Sequence, residues 1–101
     1  MILVRRGWGV YGRVYWRNLS PVDHFQPTWR YDIKSETRLT WKEGLWEIGN
    51  LVSPGSESYD EAHNGIPNDW GIGTYIDAKL MLKVDGEQKE VWRETRVYQI
   101  Y

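Results

Sequence analysis

Apolar and polar residues alternate with a period of two along several stretches of the chain, and turn residues separate these stretches. Such alternation is typical of half-buried β-strands, because successive side chains of a strand point to opposite faces of the sheet. The longest case is residues 74–101, where two alternating runs flank Asp85-Gly86. Asp-Gly suits a two-residue type I′ turn, since both central residues of that turn need a positive φ. The pattern therefore predicts one long antiparallel hairpin.

The turn also predicts the register of this hairpin. Counting outward from the tip places Leu80 opposite Val91 and Asp77 opposite Glu94. The second pair is like-charged, so a β-bulge near it is the alternative to this simple register. The register predicts a core face made of Ile76, Ala78, Leu80, Leu82, Val91, Thr95 and Val97. It predicts an opposite face made of Tyr75, Lys79, Trp92, Arg96 and Tyr98.

A second hairpin is predicted over residues 37–50, with Glu43-Gly44 as its turn. Trp41 then faces Trp46 one step from the tip, at a position where cross-strand side chains approach closely. Two indoles stacked in this way add about 0.5–1.5 kcal/mol beyond their buried area. Structure alone explains this motif, so we assign it no ligand.

Residues 9–17 predict a half-buried strand whose outer face interleaves tyrosine with arginine. One interpretation is a flat recognition surface for an anionic or planar ligand, held by guanidinium hydrogen bonds and ring stacking. The other is an exposed sheet face on which arginine packs against tyrosine without a ligand. The side chains of this candidate surface are Tyr11, Arg13, Tyr15 and Arg17.

Residues 56–73 show almost no strand periodicity and carry turn chemistry at Asn64-Gly65 and Pro67, so they predict a long surface loop. Irregular segments of this length are uncommon in small domains and are often functional. We expect the Trp70 ring to be at least partly accessible. The candidate ligand-binding residues are Tyr59, Asp60, Glu61, His63, Asn68, Asp69 and Trp70.

Three interpretations of this predicted loop stay open. Carboxylate and amide groups beside aromatic rings suit neutral sugars, because the polar groups bind hydroxyls while a ring covers the apolar face of the sugar. Oxygen ligands also suit Ca²⁺, although no EF-hand spacing or other metal motif is present. The third interpretation is a solvated acidic loop that binds nothing.

Composition limits the number of domains and the kinds of site that the chain can form. A chain of 101 residues and 12.0 kDa predicts one domain spanning residues 1–101. The chain has no Cys, which excludes disulfides and thiolate metal sites. Its 7 Trp and 7 Tyr, against 1 Phe, favour surfaces where an aromatic ring meets water. The N-terminal apolar run is too short for a signal peptide, and no run reaches transmembrane length. A soluble protein is expected, in a compartment that the residues do not identify.

Charge is segregated along the chain although the net charge is only −1. Residues 1–17 contain four arginines and no acid, whereas residues 43–78 contain seven acids and no lysine or arginine. Such a pattern can attract ligands of either sign or a second copy of the chain. We therefore expect that any self-association would weaken with salt.

Catalysis and DNA binding are both disfavoured. The chain has no glycine-rich phosphate loop, no His-Glu-x-x-His motif and no nucleophile elbow. Asp60 with His63, or Glu61 with Asp69, could act as an acid–base pair, but any acidic loop offers such pairs. Basic residues are few and the acidic segment would repel phosphate, so sequence-specific nucleic-acid binding is not expected.

Residues 51–56, Leu-Val-Ser-Pro-Gly-Ser, are followed by a glycine-containing turn and then a hairpin. Over about residues 45–86 this arrangement resembles the aegerolysins, which are small membrane-lipid-binding β-sandwiches. The chain lacks the cysteine and the Trp-Asp-Cys signature of that family, and it is shorter. The resemblance implies a role at a lipid interface, where surface Trp and Tyr residues sit at the headgroups.

Together these patterns predict an all-β fold: a compact antiparallel β-sandwich or barrel of about seven or eight short strands, with no substantial helix. The first functional prediction is a non-catalytic binding module for a glycan, recognised through Trp70, Tyr59 and the acidic residues of the loop, without a required cofactor. The alternative is a structural or assembly subunit, viral or oligomeric, whose partner is another protein chain or a second copy. A membrane-lipid-binding sandwich is the third.

Overall fold

The computed structural model describes residues 1–101 and consists of strands and turns without a helix. This confirms the predicted all-β class. The chain contains no helix of the length and apolarity needed to span a bilayer. The seven strands are β1 (Ile2–Val4), β2 (Gly9–Arg17), β3 (Thr28–Ser35), β4 (Glu47–Ile48), β5 (Glu57–Gly65), β6 (Tyr75–Val84) and β7 (Glu87–Ile100).

The strands form two sheets. A curled five-stranded sheet, the main sheet, has the order β1-β7-β6-β3-β4. Strands β2 and β5 form a separate two-stranded sheet, the ribbon. All pairs are antiparallel except β1 with β7, which run parallel.

The core lies between the inner face of the ribbon and the concave side of the main sheet. Period-two alternation on β3 places Trp29, Tyr31 and Ile33 on this side, with exposures of 7% or less. The Tyr31 hydroxyl is hydrogen-bonded to the Tyr98 hydroxyl at 2.8 Å. Burial raises the pKa of both phenols above their usual value. The remaining buried apolar residues are Val4, Val10, Trp16, Val52, Ala62, Ile66, Trp70, Ile76, Ala78, Leu80 and Ile100.

The opposite side of β3 is buried as well, and it carries an ion pair. Arg30 Nε and one terminal guanidinium nitrogen each donate to a carboxylate oxygen of Asp32 at 2.8 Å. The Gly44 backbone N–H donates to the same carboxylate at 3.0 Å. A side chain at Gly44 would collide with the Tyr31 carbonyl oxygen, so the close approach that satisfies Asp32 requires glycine.

The predicted hairpin over residues 37–50 is wrong. Within this segment Lys42 forms an isolated bridge to Ile33 of β3, and β4 also pairs with β3 rather than with its neighbours in sequence. The two indoles lie over different cations instead of each other: Trp41 over Lys79 and Arg93, and Trp46 over Arg30 and Lys83, at 4.5–5.1 Å. Cations on the main sheet thus replace the cross-strand indole stack.

The C-terminal hairpin and its turn are confirmed. Asp85 and Gly86 have φ values of 51° and 80°, and Val84 pairs with Glu87. Two irregularities change the register beyond the tip: Leu80 pairs with Trp92, and Ala78 pairs with Glu94. Because the bulges shift alternation, Val91 is 48% exposed and Tyr98 only 3% exposed, the reverse of the prediction for these two.

Residues 57–65 form a strand, so the prediction of one loop over 56–73 is wrong for its first half. Their alternation is hidden in the sequence because the inward positions hold Ser58, Asp60, Ala62 and Asn64 rather than large apolar residues. Hydrogen bonds satisfy two of these side chains. Asn64 Nδ2 donates to the carbonyls of Tyr31 and Lys42, which ties the ribbon to β3.

Candidate functional site

The outer face of the ribbon, the ribbon face, brings together two groups of residues that are far apart in sequence. Strand alternation directs every second residue of β2 and β5 outward, and the register sets them opposite one another. The cross-strand pairs are Tyr11 with His63, Arg13 with Glu61, Tyr15 with Tyr59, and Arg17 with Glu57.

The aromatic rings of the ribbon face contact one another in pairs. The Tyr11 ring stacks on His63 with a centroid separation of 6.1 Å and an interplanar angle of 24°. Tyr15 and Tyr59 have the same separation and a tilt of 47°. Tyr11 and Tyr15 are nevertheless 74% and 70% exposed. Their rings therefore present large surfaces to solvent while their partners restrict their orientation.

The charges of the ribbon face are balanced. The Arg13 guanidinium lies 4.6 Å from the centre of the Tyr59 ring and stands opposite Glu61. The side-chain hydrogen bond of Tyr15, followed by the nearby Tyr59, raises the pKa of Arg13 above its usual value. Arg17 forms an exposed ion pair with Glu57 at 3.4 Å. Two arginines of the basic segment thus face two glutamates of the acidic segment within one chain.

Asp60 and Trp70 do not belong to this surface. Asp60 lies on the inner face of the ribbon, where it accepts hydrogen bonds from Trp16 Nε1 at 2.8 Å and from the Asn50 N–H at 2.9 Å. Trp70 is only 5% exposed and belongs to the hydrophobic core, so the expectation of an accessible ring is wrong. The physical reason is that residues 66–74, the turn after β5, contribute Ile66 and the Trp70 indole to the hydrophobic core.

Asn68 and Asp69 are exposed in the turn after β5, with partners of their own. Asp69 binds Arg38 through its carboxylate at 3.1 Å, and the Asn68 amide oxygen lies against Gly7. Of the seven residues predicted from segment 56–73, only three reach the ribbon face: Tyr59, Glu61 and His63.

The two acid–base pairs considered from the sequence are not assembled. Asp60 and His63 differ by three positions on one strand, so their side chains point to opposite faces of the ribbon. Glu61 lies on the ribbon face, whereas Asp69 is bound to Arg38. No cluster of three or more His, Asp or Glu side chains offers a metal site. Calcium binding by segment 56–73 stays a prediction.

A cleft of about 420 Å³ opens between the ribbon and the β6–β7 hairpin. Its aromatic wall is formed by Tyr31 and Trp92, whose rings stack at 6.5 Å with an interplanar angle of 19°. Other walls come from Gly12, Arg13, Val14, Tyr15, Trp16, Ala62, Leu80 and Val91. The sequence did not reveal this cleft, because it depends on the pairing of β2 with β5 and on the bulge beside Trp92.

Comparison with models of protein families, with curated proteins and with solved structures found no match to this chain.

Proposed function

We propose that this protein is a non-catalytic binding module that holds a neutral oligosaccharide on the ribbon face. In this proposal the ribbon and the main sheet are the two layers of an open β-sandwich. The observation that carries the proposal is the exposure of Tyr11 and Tyr15, at 74% and 70%, on rings that other aromatic residues hold in place. Oriented rings can cover the apolar faces of sugars at little cost in side-chain entropy.

The spacing of the rings favours an extended ligand over a single sugar. Tyr11 and Tyr15 are four residues apart on β2, which corresponds to about 13 Å along a strand. Between and beside them, Arg13, Glu61 and His63 offer hydrogen-bond donors and acceptors for hydroxyl groups. The surface therefore alternates stacking positions with polar positions along one direction.

The charge balance favours a neutral ligand over an anionic one. Two arginines and two glutamates occupy the ribbon face in opposed pairs. An anionic ligand would have to compete with these glutamates for the guanidinium groups. A neutral sugar avoids that competition and needs only stacking and hydrogen bonds.

The test is a glycan array followed by calorimetric titration of the strongest hit. Tyr11→Ala and Tyr15→Ala should each weaken binding by about tenfold, because each removes one stacking position. Tyr101→Ala is the matched control, since Tyr101 is 58% exposed but lies outside the ribbon face. All three variants should melt within a few degrees of the wild type. Equal affinity of the wild type and both ribbon variants would contradict the proposal.

A second candidate is a subunit of a larger assembly, and the unpaired edges of the main sheet favour it. The outer edge of β1 has no strand partner, and Ile2 and Leu3 are 55% and 60% exposed. Unpaired backbone groups beside apolar side chains are suited to pairing with another chain. Solution mass distinguishes an assembly subunit from a monomeric binding module: an assembly of copies would be lost in an Ile2→Lys, Leu3→Lys variant.

Sedimentation with anionic and neutral lipid vesicles tests the third candidate, a lipid-interface role.

A further inference from the structure

The cleft between the ribbon and the β6–β7 hairpin exists because two small residues face each other on the ribbon's inner side. Gly12 pairs with Ala62, whereas the neighbouring inward residues of β2 are Val10 and Val14. A Cβ atom built on Gly12 meets no atom within 4 Å. The missing side-chain volume is therefore open space, and it lies next to the aromatic wall.

The walls of the cleft offer apolar surface and few free polar groups. The Tyr31 hydroxyl is bound to Tyr98, and Trp16 Nε1 is bound to Asp60, so the polar ends of both rings are already satisfied. Arg13 and Tyr15 also line the cleft, but the Arg13 guanidinium lies over the Tyr59 ring. A sugar would find few hydrogen-bond partners here, whereas an apolar molecule would lose none.

The size and shape of the cleft suit a flat ring system. Its volume of about 420 Å³ falls within the range of small-molecule sites, about 300–1,000 Å³. The stacked Tyr31 and Trp92 rings form one flat wall of the cleft. Gly12, which has no side chain, lines another wall. Val91 and Trp92 remain 48% and 41% exposed at the bulge, so both have apolar surface that a ligand would cover.

We propose that this cleft is a second binding site, which borders the ribbon face at Arg13 and Tyr15, and that its ligand is a neutral, planar aromatic small molecule. The ligand inserts between Gly12 and the Tyr31–Trp92 wall. Affinity comes from burial of apolar surface and from ring stacking on Trp92. The ribbon lines the cleft mainly through its inward-facing residues, and the cleft borders the ribbon face at Arg13 and Tyr15.

The test uses N-phenyl-1-naphthylamine, a neutral aromatic fluorophore whose emission rises in apolar surroundings. We expect saturable binding at one site per chain. Gly12→Val should weaken that binding by about tenfold or more, because its side chain fills the space that the ring would occupy. Gly65→Val is the matched control: it lies at the end of the same ribbon, and an added Cβ would make only an ordinary 3.6 Å contact with Lys42 Nζ.

A second pair of variants keeps the test decisive if a ribbon substitution impairs folding. Val91→Arg places a charged side chain at the cleft and should also abolish fluorophore binding, whereas Val22→Arg, at a position 75% exposed outside the cleft, should not. Absence of saturable binding, or unchanged affinity in the folded Gly12→Val and Val91→Arg variants, would overturn the proposal.

Discussion

Buried polar side chains in this small protein have defined partners, with the Trp29 indole N–H as the exception. Asp32 is fully buried and accepts hydrogen bonds from Arg30 and from the Gly44 backbone. The Tyr31 and Tyr98 hydroxyls pair with each other. The Gly44–Asp32 and Tyr31–Tyr98 contacts join residues that are distant in sequence, so single substitutions there should affect stability more than their chemistry alone suggests.

Asp32→Ala is expected to destabilise the protein by about 3–5 kcal/mol, because it leaves the Arg30 guanidinium buried without its main counter-charge. Asp69→Ala is the control, since it removes an ion pair whose carboxylate is 72% exposed. That pair is worth less than about 1 kcal/mol. Urea denaturation of both variants measures the difference. Similar losses in the two would contradict the assignment of Asp32 as a buried ion-pair partner.

The tyrosine pair predicts both a mutational cycle and a pH dependence. Tyr31→Phe alone leaves the Tyr98 hydroxyl without its partner and should lower the free energy of unfolding by about 1–3 kcal/mol, whereas the double Phe variant should be nearly neutral.

Burial raises the pKa of both phenols in the folded state. Their contribution is therefore complete below the unfolded pKa of about 10 and is lost as pH rises above it.

Urea denaturation across the alkaline range tests this second part. The unfolding free energy of the wild type should fall more steeply above about pH 10 than that of the double Phe variant. Parallel curves for the two proteins would show that these phenols do not contribute to alkaline destabilisation.

Strands whose turn residues or alternation are visible in the local sequence were predictable. Strands that depend on contacts with residues distant in sequence were not. The Asp85-Gly86 turn carries its own conformational requirement, and β2 alternates large apolar residues with polar ones. Strand β5 has small and polar inward residues, which become intelligible only once Asp60 meets Trp16. In the same way, Trp41 and Trp46 separate because cations from β3, β6 and β7 are available to them.

The candidate site was predictable to the same degree. Alternation on β2 identified Tyr11, Arg13, Tyr15 and Arg17 as an outer face, and composition drew attention to Tyr59, Glu61 and His63. What the sequence lacked was the long-range pairing that makes these two groups one surface. It also lacked any signal that the turn after β5 is structural.

Trp70→Ala tests the structural role of that turn. Truncating an indole that is 5% exposed should cost about 3–5 kcal/mol, since it opens a cavity beside Ile66. Trp8→Ala is the matched control, because Trp8 is 66% exposed and should lose under about 1 kcal/mol. Thermal and urea denaturation compare the two. A Trp70 variant as stable as the Trp8 variant would show that the Trp70 indole is not part of the core.

The whole molecule is elongated because the β6–β7 hairpin extends beyond the core. The radius of gyration is 15.0 Å, against about 13 Å for a compact chain of this length. Residues 83–96 are exposed, and the outer edge of β7 has a strand partner only over Tyr98–Ile100. Charged side chains along this edge hinder pairing with other chains. They are Glu87, Lys89, Glu90, Arg93, Glu94 and Arg96.

Hydrogen exchange should divide the molecule at this boundary. Amides of residues 83–92 lie over few buried apolar groups and should exchange through local opening, without unfolding of the core. Amides of Ile33, Ile76 and Ile100, whose side chains are at most 1% exposed, should exchange only through global unfolding. Amide exchange measured by NMR with increasing denaturant distinguishes the two. Uniform protection along the whole hairpin would show that residues 83–92 unfold together with the core.

The distribution of charge in the folded chain differs from what the sequence suggested about self-association. The sequence places four arginines in residues 1–17 and seven acids in residues 43–78, which suggested attraction between copies. In the folded chain β2 and β5 are neighbours, so Arg13 and Arg17 face Glu61 and Glu57 of the same molecule. Because these opposed charges already meet, little unbalanced charge remains on the ribbon to draw in a second copy.

We therefore expect the solution mass, measured by light scattering, to be the same at low and high ionic strength. Arg13→Glu with Arg17→Glu provides the contrast, because it leaves the ribbon face with four acids and no counter-charge. That variant should be less stable than the wild type at low salt and should recover part of the loss at high salt, where repulsion is screened. A wild-type mass that falls as salt is added would instead mean that charges of one chain bind those of another.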